Sequence, residues 1–207
     1  SRDNLALNEV WYDRKEELYW EIVAEGHIEI RYKNHTVEHY EAMGGVYRLT
    51  SIRDANGNKI VLAYDKTGQL DTLSSPLYQL QFVYDQDYRI VQISYQGLTP
   101  ESDTPQTIIV AQYRYDTQGD LVQATDQFGS SNHYQYEQHL ITRYTDKTNR
   151  GVSLRWDTTG TVPRCIYEVL DDGTMAYSLR YDRENLTTYV TDGLGQTTKY
   201  TCLLYTS

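Results

Sequence analysis

The sequence has little of what builds a compact apolar core or a helix bundle. Its 207 residues include two Phe, two Met and two Cys, and the apolar fraction is 39%. No apolar run approaches the roughly 18 residues that a membrane-spanning helix needs, and no signal-peptide pattern is present. No segment shows a convincing 3.6-residue apolar period. The sequence therefore predicts neither a membrane span nor a helical fold.

Positive charge is also scarce. The chain carries 19 Lys and Arg against 29 Asp and Glu, which gives a formal net charge of −10. Phosphate backbones and anionic membrane surfaces are bound by clustered Lys and Arg. The charge balance therefore argues against a nucleic-acid partner and against an anionic membrane surface.

The two cysteines do not indicate a disulfide framework. The last six residues, Cys202 to Ser207, resemble one reading frame of a transposase-type sequencing adapter, and we expect them to be an artefact outside the fold. Cys165 is then alone, and a lone Cys is usually a small buried apolar residue. The chain opens with Ser1 where a natural start would have Met, so we interpret it as an interior piece with both ends cut.

The abundant residue is tyrosine, and it recurs at a fixed period. The chain has 21 Tyr, whose rings suit a sheet with one wet face because the hydroxyl can stay in water. An aromatic residue followed by an acidic one recurs at spacings of 20, 31, 21, 20 and 25 residues. We predict that the 31-residue spacing contains a longer loop at 97–106. The pairs are Tyr64-Asp65, Tyr84-Asp85, Tyr115-Asp116, Tyr136-Glu137, Trp156-Asp157 and Tyr181-Asp182.

Each pair opens a turn. In three copies a glycine follows the acidic residue at the third position, and an apolar residue returns two positions later. An Asp can bond the backbone ahead of it, and Gly accepts the positive φ that closes a hairpin. We predict positive φ at Gly68, Gly119 and Gly160. The other copies have Tyr88, His139 and Asn185 instead; Tyr and His tolerate that region poorly, so we expect the turns at Tyr88 and His139 to differ.

A second turn signal lies about ten residues before most pairs, as in Asp54-Ala-Asn-Gly57. Two turns per 20 residues leave room for two strands, which is one hairpin. Lys59–Tyr64 and Gln79–Tyr84 alternate as half-buried strands should. After the turn, Leu70 and Leu73 stand three apart, which strict alternation forbids. A bulge or burial on both faces would explain that spacing, and both remain open.

The repeats divide the chain into three parts. Residues 1–45 form an irregular β lead-in, 46–201 form the repeat array and 202–207 are the adapter-like tail. With its phased Tyr-Asp units, the chain resembles the RHS/YD-repeat family, on motifs such as Ile60-x-Leu-x-Tyr64-Asp65-x-x-Gly68-x-Leu70. The resemblance implies an all-β fold of antiparallel β-hairpin repeats that form a curved, spiralling sheet, part of a large hollow shell.

The resemblance also implies a function and partners. Bacterial members enclose a C-terminal toxin and are secreted or cell-surface proteins, exported by type VI and other routes. The partners it implies are the toxin cargo of the same parent chain and the flanking repeats, with secretion machinery and cell-surface glycans as further candidates. The alternative function is a cell-surface adhesive or carbohydrate-binding module. Bacterial members often end the shell with an Asp-Pro-x-Gly self-cleavage motif, and this sequence has no Asp-Pro dipeptide.

Several residue groups could suggest chemistry, and each has a simpler explanation. Asp54, Asn56, Asn58 and Asp65 are spaced like a calcium loop, but Lys59 stands where an EF-hand needs Gly. A hairpin turn explains them. The other groups are two histidine pairs that we interpret as surface residues, and an acidic pair before Gly173 that we interpret as a solvated turn. These are His35 with His39, His133 with His139, and Asp171 with Asp172.

No motif for a nucleophile, a metalloprotease or a phosphate-binding loop occurs. The sequence therefore predicts a non-enzymatic chain with no catalytic, cofactor-binding or metal-binding residues. The tyrosines could stack on sugar rings, or could pack on the tyrosines of the next hairpin as a cross-strand ladder. We expect the packing role.

Overall fold

The computed structural model describes residues 7–99 and 102–201, and within them the chain consists of strands and turns without a helix. The adapter-like tail at 202–207 lies outside the described residues. No helix in the described part is long and apolar enough to cross a bilayer. The predicted all-β fold of antiparallel hairpin repeats is confirmed.

Eighteen strands follow one another along the described chain. They are β1 Val10–Asp13, β2 Leu18–Ala24, β3 His27–Tyr32, β4 Val37–Met43, β5 Val46–Arg53, β6 Lys59–Tyr64, β7 Leu70–Ser74, β8 Tyr78–Tyr84, β9 Ile90–Thr99, β10 Ser102–Tyr115, β11 Leu121–Asp126, β12 Ser131–Glu137, β13 Leu140–Thr145, β14 Gly151–Asp157, β15 Arg164–Leu170, β16 Tyr177–Asp182, β17 Thr187–Asp192 and β18 Thr197–Thr201.

The chain divides into two compact units, Ser1–Ala111 and Gln112–Ser207. In the first unit β1 to β9 pair in sequence order, each antiparallel to the next. In the second unit β11 to β18 do the same. β10 runs from the first unit into the second. Every connection is local, which is the hairpin meander that two turn signals per repeat predict.

Burial alternates with the pleat in some strands, whereas strands such as β11 and β13 are half-buried on both faces. In β6 the side chains alternate exposed and half-buried from Lys59 to Tyr64, as the sequence predicts. Leu18 and Ile30 are the apolar side chains of the described residues that are more than nine-tenths buried. Apolar burial within each unit is thus shallow. Hydrogen bonds between strands and from side chains to the backbone therefore hold much of the structure together.

The predicted loop at 97–106 is wrong. β9 extends to Thr99 and β10 begins at Ser102, so the extra residues lengthen two strands. The strand tolerates Pro105 because a proline costs one ladder hydrogen bond and does not end an extended backbone. Residues 100 and 101 lie outside the described residues.

Candidate functional site

One hydrogen-bonded turn recurs through both units, and an aspartate opens it. In the turn between β6 and β7, Oδ1 of Asp65 accepts the backbone N–H groups of Thr67 at 2.8 Å and Gln69 at 2.9 Å. The N–H of Gly68 donates to the Asp65 carbonyl at 3.0 Å, and the N–H of Asp65 donates to the Gln69 carbonyl at 2.8 Å. The side chain therefore organises the whole five-residue segment, which we call the aspartate turn.

The same four hydrogen bonds occur after both kinds of turn signal in the sequence. Three Tyr-Asp pairs and four segments of the second turn signal thus form the same structural device between successive strands. The turns are opened by Asp54, Asp65, Asp85, Asp116, Asp126, Asp146 and Asp192.

The fourth residue of each aspartate turn has a positive φ. The prediction is confirmed for Gly68, at φ 86°, and for Gly119, at φ 90°. Tyr88 was expected to give a different turn, and that expectation is wrong, because Tyr88 adopts φ 62° with the same hydrogen bonds. Asn149 occupies the same position at φ 61°. The aspartate side chain thus imposes the turn even where the fourth residue is strained.

The prediction for Gly160 is wrong. Its φ lies outside the positive region, and the connection from Asp157 to Arg164 is longer than an aspartate turn. Asp157 keeps the first half of the pattern, since its Oδ1 accepts the N–H of Thr159 at 2.9 Å. A Cβ at Gly160 would collide with the guanidinium of Arg183. Glycine at this position leaves room for the end of the Arg183 side chain, and no positive φ requires it.

The other two glycine-free copies use different turns. Gln138 and His139 have φ of 52° and 65°, which makes a two-residue hairpin turn between Glu137 and Leu140. In the last copy the positive φ falls on Leu186, at 49°, instead of Asn185. The expectation that the His139 turn differs is confirmed.

The turn carboxylates are stabilised in their charged form. The Thr148 hydroxyl and the N–H of Arg150 lower the pKa of Asp146 to about 2. The pKa values of Asp54, Asp65, Asp85 and Asp126 are also lowered, because each carboxylate accepts hydrogen bonds. Such carboxylates are acceptors at neutral pH and cannot serve as general acids.

A β-bulge follows the aromatic-acidic pair in four hairpins. Tyr64 pairs with Leu70 while Ala63 pairs with Thr72, so Asp71 is an extra residue. The bulge therefore explains the three-residue spacing of Leu70 and Leu73 that the sequence left open. The extra residues are Asp71, Val91, Thr142 and Ile166.

In four of the pairs the aromatic residue ties its hairpin to the preceding one. The hydroxyl of Tyr84 donates to the carbonyl of Leu70 at 2.8 Å, directly before the bulged Asp71. Three more such bonds are each 2.7 Å long. They run from Tyr64 to the carbonyl of Leu49, from Trp156 to that of Ile141, and from Tyr181 to that of Cys165. We call this hydrogen bond the aromatic lock. The bulge interrupts the regular ladder of backbone hydrogen bonds, and the aromatic side chain donates a hydrogen bond to the backbone carbonyl next to the bulge.

The predicted cross-strand ladder of repeat tyrosines is not what the described residues show. Their ring pairs join other tyrosines, such as Tyr134 with Tyr144 at 5.5 Å between centroids. The repeat tyrosines pack against guanidinium groups, with Arg48 5.2 Å from the centroid of Tyr64. Arg164 lies 4.9 Å from that of Tyr181. These rings are half-buried and one face is covered, which disfavours a sugar-stacking role for them.

The acidic pair Asp171-Asp172 lies in a turn with Gly173 at φ 77°, as the sequence predicts. Asp171 does more than the predicted solvated turn. It accepts two hydrogen bonds from the Arg143 guanidinium, each 2.7 Å, and one from the N–H of Gly151 at 2.9 Å. Arg143 lowers the pKa of Asp171. The group cross-links β13, β14 and the β15–β16 turn, beside a cleft of about 310 Å³.

The other residues weighed as sites do not converge on chemistry. Asp54 holds the N–H groups of Asn56 and Asn58, both at 2.9 Å, so the calcium-like spacing forms an aspartate turn. His133 is exposed on β12, and His139 bonds Asp120 at 2.9 Å, which raises the His139 pKa.

Cys165 is half-buried and unpaired, less enclosed than the sequence predicts. His35 is exposed in a turn, apart from His39. His39 instead lies with His27 and Glu41, a group that the sequence did not reveal because it depends on the register of β3 and β4.

Comparison with known proteins gives two curated relatives. The chain is 31% identical over 154 residues to the probable deoxyribonuclease RhsB of Dickeya dadantii (strain 3937). It is 30% identical over 154 residues to the probable deoxyribonuclease RhsA of the same strain. Each match covers 73% of this chain, which spans about a tenth of the length of these relatives (10%). No family model matches the chain.

The solved structures to which the chain is similar include two crystal structures. That of TcdB2-TccC3-TEV gives a TM-score of 0.46 at 13% identity, covering 94% of this chain and 12% of that chain. That of TcdB2-TccC3-Cdc42 gives a TM-score of 0.30 at 11% identity, covering 95% of this chain and 14% of that chain.

Proposed function

Because this chain belongs to the RHS/YD-repeat family, we propose that it is a wall segment of a shell that encloses a C-terminal toxin and helps to deliver it. The observation that carries the proposal is the match to RhsB along 154 residues of repeat hairpins. The parent protein is then longer than this segment, with flanking repeats and the toxin cargo as its partners. Its place is outside the producing cell or on its surface.

The geometry supports a structural role. Seven strand connections are closed by aspartate turns, and four aromatic locks tie a hairpin to the one before it. Both devices join backbone to side chain, so they hold the ribbon's shape without a deep core. A wall needs this property, since a ribbon that surrounds a cargo contacts mainly its sequence neighbours.

The relatives carry the name of probable deoxyribonucleases. We propose that such an activity lies outside the tenth of these proteins that the chain matches. The turn aspartates support this assignment, because hydrogen bonds from the backbone occupy the carboxylates that a nuclease would use for a metal or a proton.

The test uses the full-length parent protein with two engineered sites for one specific protease. The first site replaces the exposed turn around Phe128, between β11 and β12. The second lies in the toxin region. Enclosure predicts that the wall site is cut quickly, while the toxin site is cut only after the wall has been opened.

A matched control carries the toxin site alone, in the toxin expressed without the repeats. It should be cut at the rate of an exposed peptide. If the toxin site in the intact parent is cut as fast as in this control, the toxin is not enclosed and the proposal is wrong.

A further inference from the structure

Three metal-ligating side chains converge on one face of the β3–β4 hairpin. His27 on β3 stands directly opposite Glu41 on β4, and His39 lies two residues before Glu41 on the same face. One ligand atom from each of the three lies within 4.8 Å of the others. The rings of His27 and His39 are 5.6 Å apart between centroids and tilted by 31°.

We propose that His27, His39 and Glu41 form a binding site for Zn²⁺. Two imidazoles and one carboxylate are a donor set that zinc uses, with the fourth position left to water. Tetrahedral zinc with bonds of about 2.0–2.2 Å needs ligand atoms about 3.3 Å apart. Nε2 of His39 and Oε1 of Glu41 are already 3.8 Å apart, so rotation of half-exposed side chains closes the site.

A backbone carbonyl orients one of the three ligands as a partner behind a metal site does. Nδ1 of His27 lies 2.8 Å from the carbonyl of Glu25, which can only accept, so Nδ1 carries the proton and Nε2 keeps its lone pair. Oε1 of Glu29 lies 3.8 Å from Nδ1 of His39, beyond hydrogen-bonding distance, while Oε2 of Glu29 accepts from Arg31 at 3.0 Å. The hydroxyl of Thr50 lies 3.3 Å from Oε1 of Glu41 and 3.2 Å from the carbonyl oxygen of His39, and its one proton serves one of these two acceptors at a time.

A protonated His39 held between two glutamates is the competing explanation. Both of its carboxylate contacts are 3.8 Å, longer than a hydrogen bond. The ion-pair explanation also gives no role to the fixed ring of His27. Zinc uses all three side chains, and the partial exposure gives the ion a path.

Bound zinc would join β3 to β4 and stabilise the folded first unit, because a ligand that binds the native state shifts the folding equilibrium. The test is isothermal titration of Zn²⁺ into the metal-free 207-residue chain. One equivalent should bind and should raise the thermal unfolding midpoint. Mg²⁺ at the same concentration should do neither, because it prefers oxygen ligands.

Two ligand variants and one control make the test specific. Glu41→Gln keeps the shape and the acceptor for Thr50, and His27→Gln removes an imidazole. Each should weaken Zn²⁺ binding by more than about 100-fold, since even partners behind a ligand cost 10–100-fold. His35→Asn changes an exposed histidine at φ 64°, which Asn tolerates, and should bind as the parent does.

Circular dichroism without metal checks that each variant folds. Failure of the folded parent chain to bind Zn²⁺ would overturn the proposal. So would unchanged affinity in both ligand variants, which would place the ion elsewhere. An equal loss in His35→Asn would count against the assigned ligands as well.

Discussion

Tyr88 offers a direct measure of how strongly the aspartate turn is imposed. It sits at φ 62°, a region that costs an L-residue about 1–2 kcal/mol, and its ring is 61% exposed. Tyr88→Gly removes the strain and loses little burial, while the greater freedom of Gly in the unfolded chain subtracts about 0.5–1 kcal/mol. We expect a net gain in the free energy of unfolding of about 0.5–1 kcal/mol.

Two controls separate the backbone from the side chain. Tyr88→Ala removes the same ring but keeps the strain, so it should bring no gain. The difference between the Gly and Ala variants then reports the backbone contribution alone. Gly129→Ala is the reverse experiment in another aspartate turn, at φ 80° with no atom within 4 Å of the new Cβ. It should cost about 1 kcal/mol from strain without a clash.

The assay is thermal and urea unfolding followed by far-UV circular dichroism. For a chain of this length about 1 kcal/mol corresponds to roughly 2–4 °C in the unfolding midpoint. Equal midpoints for Tyr88→Gly and Tyr88→Ala would refute the reasoning, because the turn would then not strain its fourth residue.

Three further predictions concern the lock, the cross-link and the carboxylates. Tyr84→Phe removes the hydroxyl of an aromatic lock and should lower the free energy of unfolding in urea by about 1 kcal/mol. The control is Tyr136→Phe, at a repeat position without such a bond among the described residues, and it should change the free energy of unfolding little. Gly151→Ala places a Cβ 2.5 Å from Oδ2 of Asp171 and should cost about 1–3 kcal/mol, whereas Gly193→Ala makes ordinary contacts and should be nearly neutral. The folded-state pKa of Asp146, about 2, lies below its usual value, so this carboxylate stabilises the fold above about pH 4, and the stabilisation is lost as the pH falls toward 2. In Asp146→Asn, the urea midpoint should therefore fall less between pH 5 and pH 2 than it does in the parent chain.

Each of these has a result that would contradict it. Equal losses for the two Tyr→Phe variants would show that the hydroxyl bond contributes nothing special. Equal losses of stability in the two Gly→Ala variants would show that the close approach of Arg143 and Asp171 to Gly151 is not the cause of the loss. Parallel pH profiles of the parent and the Asn variant would mean that the lowered pKa is not linked to folding.

Local chemistry made much of the fold predictable. An Asp followed by Gly three positions on carries the whole turn within five residues, so the sequence alone located Gly68 and Gly119 correctly. Strict alternation located β6 for the same reason. These features depend on neighbours in sequence, which a single chain displays.

Several features that the sequence did not predict involve contacts between distant residues. Gly160 lies against the guanidinium of Arg183, and the locks join residues 14 to 16 positions apart. The bulge beside each accepting carbonyl shows in the sequence only as two apolar residues spaced three apart, such as Leu70 and Leu73. That spacing is explained equally well by a bulge and by burial on both faces of the strand. The group of His27, His39 and Glu41 depends on strand register, which is set by the turn around His35. The signal available in the sequence was His39-x-Glu41, two possible ligands on the same face of an alternating strand.

The acidity of the chain also follows from its turns. The net charge is −10, and seven of the aspartates that contribute to it open aspartate turns. A carboxylate suits this position because its oxygens only accept, and because hydrogen bonds to a charged acceptor are stronger than neutral ones. Asn could make the same contacts with less strength, and its N–H₂ would need partners of its own. A repeat that closes its hairpins with aspartate therefore accumulates negative charge with every unit added, whatever the protein binds.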